Sequence, residues 1–215
     1  MYKHNFQRVL ALSPHTDDIE FGCGATLSRL HDSGATVLSI AFSAAEESVP
    51  DTFPKDILRT EFISAHGELG ITPDQCRVLT FPVRHFPRYR QEILEELVKL
   101  NKCYEPDLVL VPSTTDTHQD HKTIAEEAYR AFKKTSMWAY EVPWNQPVSR
   151  LNGFFSIHEK DLNRKLAAIA SYKSQQHRTY VSPDFVRSLA VVRGSQIGSE
   201  LAEAFEVVKH IYRFY

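Results

Sequence analysis

An α/β fold, with helices covering both faces of a mainly parallel sheet, is what the sequence predicts, and two features carry that prediction. Apolar, strand-like runs and amphipathic, helix-like stretches alternate from Arg8 to Lys133, and alternating βα units imply a parallel sheet sandwiched between helices. A cluster of histidines and acids directly follows the first apolar run, and another follows the fourth. Right-handed crossovers favour an order in which strands 1 and 4 are neighbours where the winding reverses. Both clusters would then share one crevice at the carboxyl edge of the sheet. The expected architecture is a Rossmann-like three-layer α/β/α sandwich.

Strands are expected at Arg8–Ser13, Thr36–Phe42, Arg77–Phe81 and Asp107–Pro112, with helices near Ile19–Asp32, Lys55–Leu69, Tyr89–Tyr104 and Lys122–Lys133. The third helix shows the spacing plainly: Ile93, Leu94, Leu97, Val98 and Leu100 are apolar among Gln91, Glu92, Glu95, Glu96 and Lys99. Gly22-Cys23-Gly24 in the first helix is not a dinucleotide fingerprint. The glycines do not follow the strand at once, and Leu27 stands at the third glycine position. Close packing of that helix on the sheet accounts for them better. The remainder is less regular. Trp138–Val142 and Phe154–His158 read as strands and Glu159–Tyr172 as a helix, while Pro143, Pro147 and Gly153 punctuate a loop holding Trp144 and Asn145. No repeat, low-complexity tract or linker marks a boundary, so one domain over residues 1–215 is expected.

The bulk numbers fit an ordinary soluble globular protein. With 42% hydrophobic and 24% charged residues and a formal net charge of -2, the chain offers no general attraction for nucleic acid. Its 215 residues suffice for one sizeable core. Cys23, Cys76 and Cys103 form no CxxC pair and read as reduced thiols of a cytosolic protein. Met1-Tyr2-Lys3-His4-Asn5-Phe6 leads into the first strand without the apolar stretch of a signal peptide, and no segment is long and apolar enough to span a bilayer. The expectation is a cytoplasmic protein acting on a small molecule, without nucleic-acid or membrane partners, and with self-association left open.

The clusters carry the chemistry. Pro14-His15-Thr16-Asp17-Asp18 follows Val9-Leu10-Ala11-Leu12, and two adjacent acids resist burial unless a cation or donors compensate them. Asp116-Thr117-His118-Gln119-Asp120-His121 follows Leu108-Val109-Leu110-Val111. Together they suggest one divalent metal site in a hydrolase. Catalytic zinc takes three protein ligands from histidine and carboxylate and keeps a position open for water, whose pKa falls to about 7. His15 and Asp18 would supply two ligands, and either His118 or His121 the third. Asp17, beside the metal, suits a general base. The remaining histidine suits an oxyanion stabiliser or a proton donor to a leaving amine, and Asp120 a group that orients a histidine. The competing account makes Asp17 and Asp18 the cap of one helix and Asp116 or Thr117 the cap of another. It requires two coincidences at adjacent strand ends.

His15-Thr16-Asp17-Asp18 with the later His118-Gln119-Asp120-His121 resembles the N-acetylglucosaminyl-phosphatidylinositol de-N-acetylase family, also called PIG-L or LmbE-like, whose pattern is HPDD followed by HxDH. The likeness extends to Glu61, Ala65 and Leu69-Gly70, to Lys165 with Tyr172-Lys173-Ser174-Gln175, and to Arg193-Gly194, Gly198 and Ala202-Glu203-Ala204-Phe205. It implies a Rossmann-like fold and the hydrolysis of a sugar acetamide to an amine and acetate. The implied ion is zinc, one per chain, with another divalent transition metal such as Fe2+ as the alternative. By that resemblance His15, Asp18 and His121 are the metal ligands and Asp17 the general base. His118 becomes the oxyanion stabiliser or general acid, and Asp120 its partner. The chain departs from the pattern with Thr16 in place of proline and with Ile19-Glu20 in place of a glutamate directly after the acid pair. Neither departure removes a ligand.

Substrate contacts are less determined. Trp138, Tyr140, Trp144, Phe154 and Phe155 are candidates for an apolar sugar face. Arg59 falls close to a family arginine that contacts sugar hydroxyls. Arg84, His85 and Arg88, in the loop after the third strand, could pair with a phosphate of a nucleotide- or lipid-linked sugar. The expected function is therefore a zinc-dependent N-deacetylase of an amino sugar or its conjugate. The alternatives are an amidase acting on a larger acyl group and a catalytically silent binding homologue.

Overall fold

The computed structural model describes residues 6–212, so Met1–Asn5, whose composition argued against a leader, lie outside the described residues. The strands are β1 (Arg8–Ser13), β2 (Thr36–Ala41), β3 (Cys76–Val78), β4 (Leu108–Pro112), β5 (Ser136–Tyr140), β6 (Gly153–Ser156) and β7 (Ala202–Lys209). The helices are α1 (Asp18–Asp32), α2 (Ile57–Glu68), α3 (Arg90–Tyr104), α4 (Gln119–Ala131), α5 (Glu159–Ala170) and α6 (Pro183–Ser195). The sheet order is β3-β2-β1-β4-β5-β7-β6. The first five strands in that order run parallel, whereas β7 is antiparallel to both β5 and β6. As expected, β1 and β4 are neighbours at the reversal, paired from Val9↔Leu108 to Ala11↔Leu110.

Both faces of the central strands are covered, which is why they read as continuous apolar runs. Val9, Ala11, Val37, Leu108 and Leu110 face a core shared with α1, α2 and α5. Their alternates Leu10, Leu12, Leu38, Ile40, Val109 and Val111 face α3 and α4. Burying each such side chain contributes about 1.5–3 kcal/mol relative to leaving it in water.

Helix α1 enters this core closely. A Cβ on Gly22 would lie 2.2 Å from Cδ2 of Tyr140, so the close packing expected of these glycines is present. The helix kinks at Cys23, whose φ and ψ are -151 and 23. A kink leaves amide donors without carbonyl partners. Glu203 meets them, accepting from the N–H of Ala25 at 3.2 Å and of Thr26 at 2.6 Å. Its charge is matched by Lys165, 2.6 Å away.

The sequence reading missed α6 and β7. The alternation in β7 is obscured because Glu203 is buried by its ion pair and reads as a polar interruption.

Candidate active site

The loop after β1 is stiffened before it delivers its side chains. Ser13 Oγ–H donates to the His15 carbonyl, Tyr172 Oη–H donates to the Thr16 carbonyl, and the His15 N–H donates to Asp18 Oδ2 at 2.8 Å. Asp17 occupies the N-cap position of α1, yet its side chain makes no capping bond. Its carboxylate lines a cavity of about 270 Å³ together with His15, Asp18, His118 and His121. The capping account of Asp17 therefore does not describe this loop. Glu20 turns away from the cavity and is wholly buried, 3.0 Å from Nδ1 of His66 and 2.8 Å from Tyr172 Oη.

The loop after β4 brings the second cluster to the same place. Ring nitrogens of His15, His118 and His121 all lie within 4.8 Å of one another. Asp18 touches two of the three, with Oδ2 3.4 Å from His15 Nδ1 and Oδ1 3.3 Å from His121 Nε2. Donors bound to one tetrahedral ion at about 2.0–2.1 Å stand about 3.3 Å apart, close to these two separations, and the three histidines together form a group that could hold a metal ion.

The hydrogen bonds behind the rings separate the three histidines. His121 directs Nδ1 to Asp116 Oδ2 at 2.8 Å, and His15 directs Nε2 to Asp120 Oδ2 at 3.0 Å. A carboxylate on the far nitrogen holds the proton there and leaves the near nitrogen with a lone pair for a metal. His118 is wired differently. It caps α4, its Nδ1 accepting the Asp120 N–H at 3.1 Å. Neutral His118 must then carry its proton on Nε2, which makes that atom a donor. Asp120 had been expected as the partner of His118; its carboxylate instead holds His15, and only its backbone reaches His118. Asp116, expected at most as a helix cap, orients His121.

Electrostatics agree with this division. Burial pulls the His15 pKa down, but bonds to Asp120 and Asp18 outweigh it and raise it to about 10. Burial would raise Asp18, yet His121 and His15 hold it down at about 2. Burial and the neighbouring Asp18 push Asp17 up to about 6, against the pull of His15 and Arg178. Burial, with the His15 and His121 rings nearby, lowers His118 to about 4, which keeps it neutral near pH 7.

The expected substrate contacts are only partly brought here. Trp144 lines the cavity, on a short turn over Pro143–Asn145, with its ring stacked 4.0 Å from that of Tyr180. Arg84 lines it too, but its guanidinium lies 3.7 Å from Glu47. His85 and Arg88 are exposed and not among the residues lining the cavity. Arg59 is likewise outside that lining, spent on Glu46 at 3.3 Å and the Val78 carbonyl at 3.1 Å. Trp138, Phe154 and Phe155 line a different cavity, and Tyr140 is buried, its Oη–H donating to the Leu12 carbonyl at 3.0 Å. Sequence reasoning missed Phe21, Gln175, Arg178 and Tyr180 in the lining. Phe21 had a signal, being one helical turn past Asp17. The others lie in the irregular tail, signalled only by the Ser174-Gln175 motif.

Residues 10–132 match the family described as PIG-L: GlcNAc-PI de-N-acetylase. The chain is 25% identical over 173 residues to the uncharacterized deacetylase YaiS of Escherichia coli K12, covering 77% of this chain and 90% of that protein. It is 23% identical over 236 residues to the diacetylchitobiose deacetylase of Thermococcus kodakarensis, covering 97% of this chain and 86% of the relative. Among solved structures, GalB, the 4-carboxy-2-hydroxymuconate hydratase of Pseudomonas putida KT2440, superposes with a TM-score of 0.78 at 20% identity, over 97% of this chain and 99% of that one. That likeness concerns the fold alone, which evidently serves more than one reaction.

Proposed function

The chain belongs to the GlcNAc-PI de-N-acetylase (PIG-L) family, and from that premise we propose that it is a zinc-dependent hydrolase removing acetyl from the nitrogen of an amino sugar or its conjugate. One observation carries the reading: His15 and His121 each bond a carboxylate through the far ring nitrogen and present the near one to Asp18. These three residues would hold the ion. Bound there, a divalent ion supplies Lewis acidity, polarising an acyl oxygen and acidifying water.

The chain's own residues do the rest. Asp17, raised to about 6, is ionised at neutral pH and close enough to it to take a proton from water and return it to the departing amine. His118 offers Nε2–H to the oxygen that gains charge as the carbonyl carbon is attacked. A donor fixed in advance in this way contributes about 2.7–4 kcal/mol to lowering a barrier. Trp144, which lines the same cavity, gives the apolar face of a sugar ring something to lie against.

Release of acetate from N-acetylated amino sugars, measured alongside elemental analysis of the purified protein, tests the reading. Acetate and close to one zinc per chain are expected, with iron as the other ion this donor set accepts. Failure to release acetate from any sugar acetamide by metal-loaded protein would overturn it.

A further inference from the structure

Three non-glycine residues among those described adopt a left-handed φ: Ala45 at 48°, Arg84 at 68° and Glu105 at 48°. Glu105 is the C-cap of α3, whereas Ala45 and Arg84 both line the active-site cavity. The conformation of Arg84 delivers its N–H to Asp120. Ala45 delivers no donor to the site and brings only a methyl. Glycine would hold the same backbone without strain, and backbone strain of this kind collects at functional sites. The methyl is the feature that needs a reason.

That methyl is fixed relative to the loop that carries His15. The Ala45 N–H donates to Ser43 Oγ at 3.1 Å, and the Ser43 N–H donates at 3.0 Å to the carbonyl of Pro14, the residue before His15. The next two residues are pinned as well, Glu46 to Arg59 at 3.3 Å and Glu47 to Arg84 at 3.7 Å. Ala45, Leu58 and Val83 are 8%, 3% and 5% exposed, belong to one apolar cluster and line the cavity together. They come from the loops after β2 and β3 and from the start of α2. Trp144 follows β5 and stacks on Tyr180. His15, Asp18 and His121 follow β1 and β4, which lie between β2 and β5 in the sheet. The reacting groups thus stand between an aliphatic wall and an aromatic one.

We propose that Ala45 is a specificity-determining residue, its methyl closing the acyl end of the cavity so that an acetyl group fits and a longer acyl group does not. The proposal rests on the de-N-acetylase reading. It adds the limit on the acyl group and the residue that sets it. The direction follows from the shape of an amide, whose carbonyl carbon carries the nitrogen with its sugar on one side and the acyl chain on the other. With that carbon at the metal-facing residues and the sugar against Trp144, the acyl chain points to Ala45, Leu58 and Val83. Water adds across the C–N bond whatever the acyl group, giving the amine and the matching carboxylate, so this wall reads size alone.

The test compares the methyl glycosides of N-acetyl-, N-propionyl- and N-butyrylglucosamine, with free amine as the common readout, on zinc-loaded wild type, Ala45→Gly and Trp144→Ala. The wild type should favour acetyl over propionyl by about 10–200-fold in kcat/KM, the range for one methylene in a closed apolar pocket. Ala45→Gly should cut that ratio by about tenfold or more, and its melting temperature should hold, because glycine adopts the left-handed backbone freely. Butyryl, which needs more room than one methyl leaves, should remain the poorest of the three. Trp144→Ala should lower kcat/KM for all three substrates and leave their ratios as they were. A wild type indifferent to acyl length, a ratio unchanged in Ala45→Gly, or one that falls equally in Trp144→Ala would overturn the role of Ala45 and leave the de-N-acetylase reading standing. Should Ala45→Gly fail to fold, Val83→Ala, in the same wall, is judged by the same ratio. No amine from any of the three substrates would overturn both.

Discussion

Asp120 Oδ2 lies 3.0 Å from Nε2 of His15, although 105 positions separate the two residues. The same oxygen receives the N–H of Arg84 at 2.6 Å, and the N–H of Phe86 reaches Oδ1 at 3.2 Å. Arg84 adopts a φ of 68°, a left-handed conformation that costs a non-glycine residue roughly 1–3 kcal/mol. The loop after β3 thus accepts strain where it supplies donors to a carboxylate behind a candidate metal ligand. Asp116 serves His121 in the same way. The two histidines set apart by these partners are the two that face Asp18.

Removing either carboxylate should loosen the metal without touching a ligand. Asp116→Ala and Asp120→Ala are each expected to weaken metal affinity about 10–100-fold, read by competition with a chromophoric chelator. Unchanged affinity in both would mean that the far-side bonds do not set the metal-binding form of the rings.

His15→Ala and His121→Ala should lose both metal and acetate release while keeping their helical circular dichroism. Neither ring belongs to the two main apolar cores, so the fold does not lean on them. Chelation of the wild type should mimic either substitution, and added zinc should restore activity only to the wild type. Full metal content in both variants would move the ion elsewhere.

How much of this was legible beforehand depends on where a residue's reason for being lies. The parallel strands declared themselves because both their faces are apolar, and Asp17 and Asp18 because adjacent acids at a buried strand end demand compensation. Asp116 and Asp120 showed in the sequence only as members of a cluster. Which histidine each one serves is a matter of how α4 starts, and His118 starts it by capping with its own Nδ1. Arg59 and Arg84 looked free because their partners, Glu46 and Glu47, come from the loop after β2. Arg178 was hidden because it lies in the irregular tail, where no periodicity marks it and its partner is the nearby Gln175.

Gly22→Ala should cost about 1–3 kcal/mol through overpacking, because its Cβ would lie 2.2 Å from the Tyr140 ring. That ring cannot retreat freely while its hydroxyl holds the Leu12 carbonyl. For a chain of this size each kcal/mol lowers the melting temperature by roughly 2–4 °C. An unchanged melting temperature would mean that α1 does not approach the sheet this closely.

Thiol chemistry should resolve the cysteines. Burial raises Cys76 to about 12 and pushes buried Cys23 well above its usual range, whereas Cys103 is exposed. Thiolate is the reactive form, so a raised pKa means less of it at any pH below that value. At pH 8 an aromatic disulfide reagent should titrate Cys103 in the folded protein and all three only after denaturation. Alkaline pH should accelerate Cys76 before the protein unfolds. Rapid labelling of three thiols at pH 8 in native protein would contradict the packing of β3 and α1.

Asp17 and His118 are expected to fail in different ways, which is how their roles can be told apart. Asp17→Asn preserves shape and leaves His15, Asp18 and His121 in place, but its amide cannot take a proton from water. Metal content should hold while kcat falls by about 10²–10⁴-fold. His118→Ala also leaves the three metal-facing residues, but removes the Nε2–H donor. Its loss should likewise appear in kcat, by about 10²–10³-fold for one oxyanion donor, and His118→Gln, which can place an N–H nearby, should recover part of it. A carboxylate base at position 17 has no such substitute among the amides. Metal lost from His118→Ala but retained in His121→Ala would reverse the assignment of ligand and donor, and Asp17→Asn turning over within a few-fold of the wild type would remove Asp17 from the chemistry.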